Sequence, residues 1–185
     1  AEELHHVQEH SIELALVWLH YAMQRGAASQ LSGNAIPPVV PILCGHMGHF
    51  IRGEGDPDTD RAFGMLLDTL RFTMESRRTL VVASGDLAHV GPAFGDSLPL
   101  GPDDKSRVHS SDEQWLEVAC SGSSDLLMDH VLLQGDSTRI CGAAPIQYML
   151  AILPETQGQV VAYDQCPADE QFGSIVSVAG VLYTA

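Results

Sequence analysis

From Ser11 to Arg25 the apolar residues Ile12, Leu16, Leu19 and Met23 return at three- and four-residue steps, the spacing that lines one face of a helix, and Gly26 is placed to stop it. Residues 27–38 are small, polar and Pro-terminated, a connection leading into residues 39–43, whose short apolar run reads as a buried strand with Pro41 arguing for an edge or early position. After the Gly- and Asp-rich residues 45–56, Phe63, Leu66, Leu67, Leu70 and Met74 repeat at helical spacing and predict a second amphipathic helix. Residues 79–84 form a short apolar run ending at Gly85-Asp86, the pattern of a fully buried strand that feeds a functional loop. Residues 91–110, rich in Gly, Pro and Asp, read as one long irregular segment, a binding or lid loop.

Beyond that loop, residues 111–120 predict a helix capped by Ser111 or Asp112, and residues 124–133 another. Ile146, Met149, Leu150 and Leu153 place a third helix over residues 140–153, closed by Pro154, and residues 159–163 and 175–183 read as strands. Helix, strand, helix, strand, helices, strand, strand is the order of an α/β protein with a mixed sheet. No internal repeat interrupts it, and 185 residues, 45% hydrophobic and 18% charged, suit one domain spanning residues 1–185.

Charge removes several function classes. The 24 acidic and 9 basic residues leave a formal net charge of -15, which repels nucleic-acid backbones and anionic lipid. No apolar run is long enough to span a bilayer, and the polar start carries no signal-peptide pattern, so a soluble cytoplasmic protein is expected. Cys44, Cys120, Cys141 and Cys166 form no C-x-x-C pair, and free buried thiols are expected in place of a zinc knuckle or a disulfide framework. The two tryptophans, Trp18 and Trp115, fall in helical patterns and read as core.

Three places carry candidate chemistry. In Ser84-Gly85-Asp86-Leu87-Ala88-His89-Val90-Gly91, an apolar run delivers an Asp and a His three residues apart to the end of a strand, where Asp86 could orient or hold the charge of His89. Spacing alone slightly favours a surface loop whose Asp caps the turn. In Glu9-His10-Ser11-Ile12-Glu13, helix capping accounts for most of the residues, while His10 and Glu13 stand one turn apart and could share a pocket-facing side. Cys141-Gly142 opens the third predicted helix, whose backbone N–H groups would stabilise a thiolate suited to zinc, iron or copper; a small buried apolar residue is the competing reading.

These strings, with Pro41-Ile42-Leu43-Cys44-Gly45, with Ile140-Cys141-Gly142 ahead of Pro145-Ile146, and with the closing Ser174-Ile175-Val176-Ser177-Val178-Ala179-Gly180, resemble the Memo family in order and spacing through nearly the whole chain. The resemblance implies a three-layer α/β sandwich with a mixed central sheet, like that of the class III extradiol ring-cleaving dioxygenases, with a non-haem metal at one end of the sheet. It places the metal-ligating cysteine on Cys141, the pocket histidine on His89 with Asp86 beside it, and a further pocket histidine on His10.

The family's two metal-ligand histidines lie upstream of the E-H-S-I-E string. This chain starts at Ala1, not at methionine, and Glu9 is only its ninth residue, so it is expected to be the C-terminal portion of the domain, N-terminally incomplete. Iron or copper, or else zinc, would then be weakly held, with a homo-oligomer or another chain supplying the missing part. The implied function is a metal-dependent oxidoreductase acting on a small aromatic substrate, in which Asp86, His89 and His10 move or hold protons. The alternative is a non-catalytic binding protein that recognises a peptide or partner protein through a vestigial pocket, and radical-SAM and AMMECR1-like proteins are the neighbours that family kinship suggests. So few basic residues count against a phosphopeptide ligand.

Overall fold

The computed structural model describes residues 11–25, 37–45, 47–55, 60–153 and 155–184. The chain divides into two compact units, Ala1–Gly45 and His46–Ala185. In the first, helix α1 (Ser11–Arg25) half-buries Ile12, Leu16, Leu19 and Met23, the stripe that periodicity predicts. On its other side Trp18, expected in a core, is 69% exposed and meets Tyr21 edge-on, and Arg25 also rests on the Tyr21 ring. Residues 39–43 pair with no strand among the described residues, and Val40 is exposed, so the predicted strand is extended chain without a ladder.

The second unit contains helices α2 (Gly48–Ile51), α3 (Arg61–Glu75), α4 (Pro102–Cys120), α5 (Ser124–Gln134) and α6 (Ala143–Ile152), with strands β1 (His89–Val90), β2 (Gln157–Pro167) and β3 (Ile175–Thr184). Local chemistry sets the helix ends. Asp60 caps α3 by accepting N–H groups of Ala62 and Phe63 at 2.9 and 3.1 Å. Ser123 caps α5 through Leu126 N–H, and Gly135 closes that helix in the left-handed conformation. Helix α4 starts nine residues before the predicted cap at Ser111. Pro102 occupies its first turn, where the missing N–H costs nothing, and Asp104 accepts the Gly101 N–H at 2.8 Å. The expected long loop is therefore shorter, and a 3-10 turn at Pro92–Phe94 falls inside it.

The sheet has order β1-β3-β2 and is antiparallel throughout. The mixed pairing expected from the sequence is not found among the described residues, because the parallel partners it required, residues 39–43 and 79–84, join no ladder. Leu80 and Val82 in the second of these runs are 74% and 55% exposed, contrary to the fully buried strand expected there. β2 and β3 form a long hairpin from Gln157 opposite Thr184 to Pro167 opposite Ile175, with a register shift between Val160 and Ala162. Helix α4 packs on β2 and β3, α5 on α4, α6 on α5, and α3 on α6. Ala88, Val108 and Ile175 are buried where β1, α4 and β3 meet, with Val90 and Leu100 against them. This seam fixes the start of β1, and with it the position of His89. No helix among the described residues is long and apolar enough to cross a membrane.

Candidate metal centre

Two glycines bring the chemistry together. A Cβ on Gly85 would stand 2.5 Å from Gly142 Cα, and a Cβ on Gly142 would stand 2.9 Å from the Asp86 carbonyl, so the two loops cross at a distance that only glycine permits. The crossing is tied by hydrogen bonds in both directions. Gly142 N–H donates to Asp86 O at 2.9 Å, and Asp86 N–H donates to Cys141 Sγ at 3.1 Å. The same sulfur lies 3.6 Å from the Asp86 carbonyl oxygen, so the Asp86 backbone meets it with both a donor and an acceptor. That donor comes from a different loop than expected: α6 begins at Ala143, and Cys141 lies in the turn before it.

Asp86, His89 and Cys141 each offer one ligand atom, and these atoms lie within 4.8 Å of one another. His89 is pre-oriented. Its Nδ1 lies 3.0 Å from the carbonyl oxygens of both Leu87 and Arg139, and because carbonyls only accept, Nδ1 carries the proton of the neutral ring. The lone pair is left on Nε2, which faces Asp86 Oδ2 at 3.7 Å. The edge of the ring meets Phe94, whose centroid is 5.1 Å away. His89 is largely buried while Asp86 and Cys141 are exposed, which keeps the cluster anchored on one side and open to solvent on the other.

Residues that sequence reading missed hold this geometry. Arg139 adopts φ +55°, accepts His89 Nδ1–H through its carbonyl, and donates Nε–H to His89 O at 2.9 Å. Its guanidinium also pairs with Asp96 Oδ2, which accepts Gly91 N–H at 2.7 Å. The Arg139 guanidinium first, and then the Gly91 N–H, hold the Asp96 carboxyl below the usual carboxylate range. His89 N–H donates to Thr138 O, so both ends of the histidine are fastened to the loop that carries Cys141. The sequence signal for this clamp is thin: a basic residue two before the cysteine and an acid seven after the histidine look like ordinary surface.

Of the four predicted site residues, Asp86, His89 and Cys141 come together, and His10 lies outside the described residues. Cys44, Cys120 and Cys166 are free thiols. Cys44 and Cys120 are half-buried, and burial pushes both thiols up, whereas Cys166 is exposed and departs from the buried reading given to it. A thiolate, an imidazole nitrogen with its proton fixed on the far side and a carboxylate form a donor set that fits zinc, iron or copper.

These features define an α/β protein with a Cys/His/Asp cluster at a crossing of two loops. Comparison with known proteins names the family: residues 1–182 match the Memo-like protein family, and the chain belongs to it. It is also similar to a MEMO1 family protein of Thermus thermophilus, 30% identical over 96 residues, a stretch covering 52% of this chain and 28% of that relative. No solved structure matches the chain.

Proposed function

We infer that the chain is a Memo-like metal-dependent oxidoreductase in which Cys141, His89 and Asp86 hold a redox metal, iron or copper. The observation that carries this reading is the convergence of three ligand atoms within 4.8 Å around a histidine whose Nδ1 proton is already committed to two carbonyls. Such outer contacts orient an imidazole and raise its basicity toward a metal. The thiolate, supported by Asp86 N–H, supplies the soft ligand, and the carboxylate is the hard one. Three protein ligands leave coordination positions open, and the exposed side of the cluster gives a small molecule access to them. The metal's contribution, when bound, is one-electron chemistry and Lewis acidity toward an oxygen-bearing substrate. Asp86 is more exposed than His89, and its carboxylate oxygen turned away from the metal would exchange a proton with a substrate hydroxyl.

The family kinship supports an α/β core of the class III extradiol dioxygenase type, a three-layer sandwich in which the antiparallel hairpin would be one part of a larger mixed sheet. That likeness favours a small aromatic substrate such as a catechol. The test is oxygen uptake by iron- or copper-loaded protein over a series of catechols, for the wild type and for His89→Ala. Uptake by the wild type and its loss in a folded His89→Ala protein is the expected result. Equal uptake by both proteins would rule the reading out.

A further inference from the structure

Behind His89 lies a polar cluster that the metal reading does not use. Asp112, on α4, is fully buried, and so is Ser177 on β3. The Tyr163 hydroxyl donates to Asp112 Oδ2 at 2.8 Å and Gln165 Nε2 donates to the Tyr163 oxygen at 3.1 Å, with the Ser177 hydroxyl beside both groups. Ser177 Oγ in turn accepts the Ala88 N–H at 2.8 Å, one residue ahead of His89. The main chain of Ser177 grips the same turn twice more: Leu87 N–H donates to Ser177 O at 2.9 Å, and Ser177 N–H donates to Ala88 O at 3.0 Å. Leu87 is the residue whose carbonyl faces His89 Nδ1. Three bonds from one serine therefore set the Leu87-Ala88 peptide, and that peptide supplies one of the two acceptors that fix the histidine's proton.

A fully buried carboxyl costs stability unless it is well bonded, and Asp112 Oδ1 has no partner among the described residues. Packing alone would be served as well by an apolar side chain at this place. The Asp112 carboxyl instead places a polar wall beside the Ser177 hydroxyl, whose oxygen accepts the Ala88 N–H. We propose that Asp112 and Ser177 are positioning residues of the metal centre, a buried relay that locks the Leu87-Ala88 turn and thereby the tautomer and direction of His89. This proposal rests on the reading that Asp86, His89 and Cys141 hold a metal.

Cobalt(II) separates the two claims, because a cobalt–thiolate bond gives a near-ultraviolet charge-transfer band. Cobalt(II) is titrated into the full chain for the wild type, Ser177→Ala and Asp112→Asn, and the His89 ring nitrogens of each metal-free protein are read by 15N NMR. The wild type is expected to show the band and a single Nδ1–H tautomer. Ser177→Ala is expected to bind cobalt roughly 10- to 100-fold more weakly, the usual loss when an outer partner of a metal ligand is removed, and to show mixed tautomers. Asp112→Asn, nearly isosteric, should move both readouts the same way by less, and it decides the matter if Ser177→Ala does not fold. Cobalt affinity within twofold of the wild type together with an unchanged tautomer would overturn the positioning role while leaving the metal centre standing. No charge-transfer band in the wild type would overturn both.

Discussion

Two groups of acids lie within a few residues of His89 in space and obey opposite rules. At the rim, Asp86 and Asp96 are solvent-accessible, meet charged or ionisable partners, and stand on loops. In the interior, Asp112 is fully buried on a helix and accepts the Tyr163 hydroxyl. Arg139 holds Asp96 below the ordinary carboxylate range, whereas burial, only partly offset by Ser177, Tyr163 and His109, pushes Asp112 up. The rim can exchange ligands and protons with solvent, while the interior can only hold a shape. The same side chain is thus a reactant in one place and a scaffold in the other, and its surroundings decide which.

Asp112→Ala should have the largest effect on stability. It strips the Tyr163 hydroxyl of its acceptor and leaves a cavity beside α4, at a cost of roughly 3 kcal/mol in denaturant unfolding; a loss below about 1 kcal/mol would place Asp112 with the rim acids. Gly85→Ala forces the crossing apart and should cost about 2 kcal/mol, as overpacked sites do. Because the crossing is what joins Asp86 to Cys141, metal binding should fall with it, and full binding in this variant would show that the crossing is dispensable. Arg139→Lys, which keeps the charge but not the forked geometry, should lower the unfolding midpoint less than either of those two substitutions, since that pair is more than a third exposed.

The smallest effects lie in the pH profile, where the two regions should separate by sign. Asp112 has a folded-state pKa above its unfolded value, so the unfolded chain gives up the proton first, and stability falls as pH rises from about 4, the ordinary aspartate value, toward the folded value. Asp96 is the reverse: its contribution is present above about 4 and is lost as pH falls through its lower folded value. In unfolding measured across the acid range, Asp112→Asn should remove the first slope and Asp96→Asn the second. Slopes of the same sign in both variants would erase the distinction.

How much of this could be read from the chain follows the same division. Helices α3 and α5, the half-buried stripe of α1 and the separate strands β2 and β3, though not their pairing as a hairpin, were visible in the local pattern, because each depends on neighbours in sequence. Helix α4 was foreshortened: its polar first turns, with Pro102, Asp103 and Asp104, resemble a loop until Pro is read as a first-turn residue. Residues 79–84 had the composition of a buried strand, but burial needs a partner strand, and composition does not supply one. Asp86, His89 and Cys141 could be picked out singly by their loop positions, yet 52 residues separate His89 from Cys141, and only the Gly85–Gly142 crossing joins them. Arg139, Asp96 and Ser177 gave no signal, since each acts through a backbone group that sequence does not display, and Asp112 read only as a helix cap.

The central claim is that the rim cluster holds a metal through Cys141, and elemental analysis by mass spectrometry tests it most directly. The protein would be purified anaerobically and without chelators, as wild type and as Cys141→Ala. Near-stoichiometric iron or copper in the wild type and its loss in the variant is the predicted result. Metal absent from both, or equal in both, would contradict it.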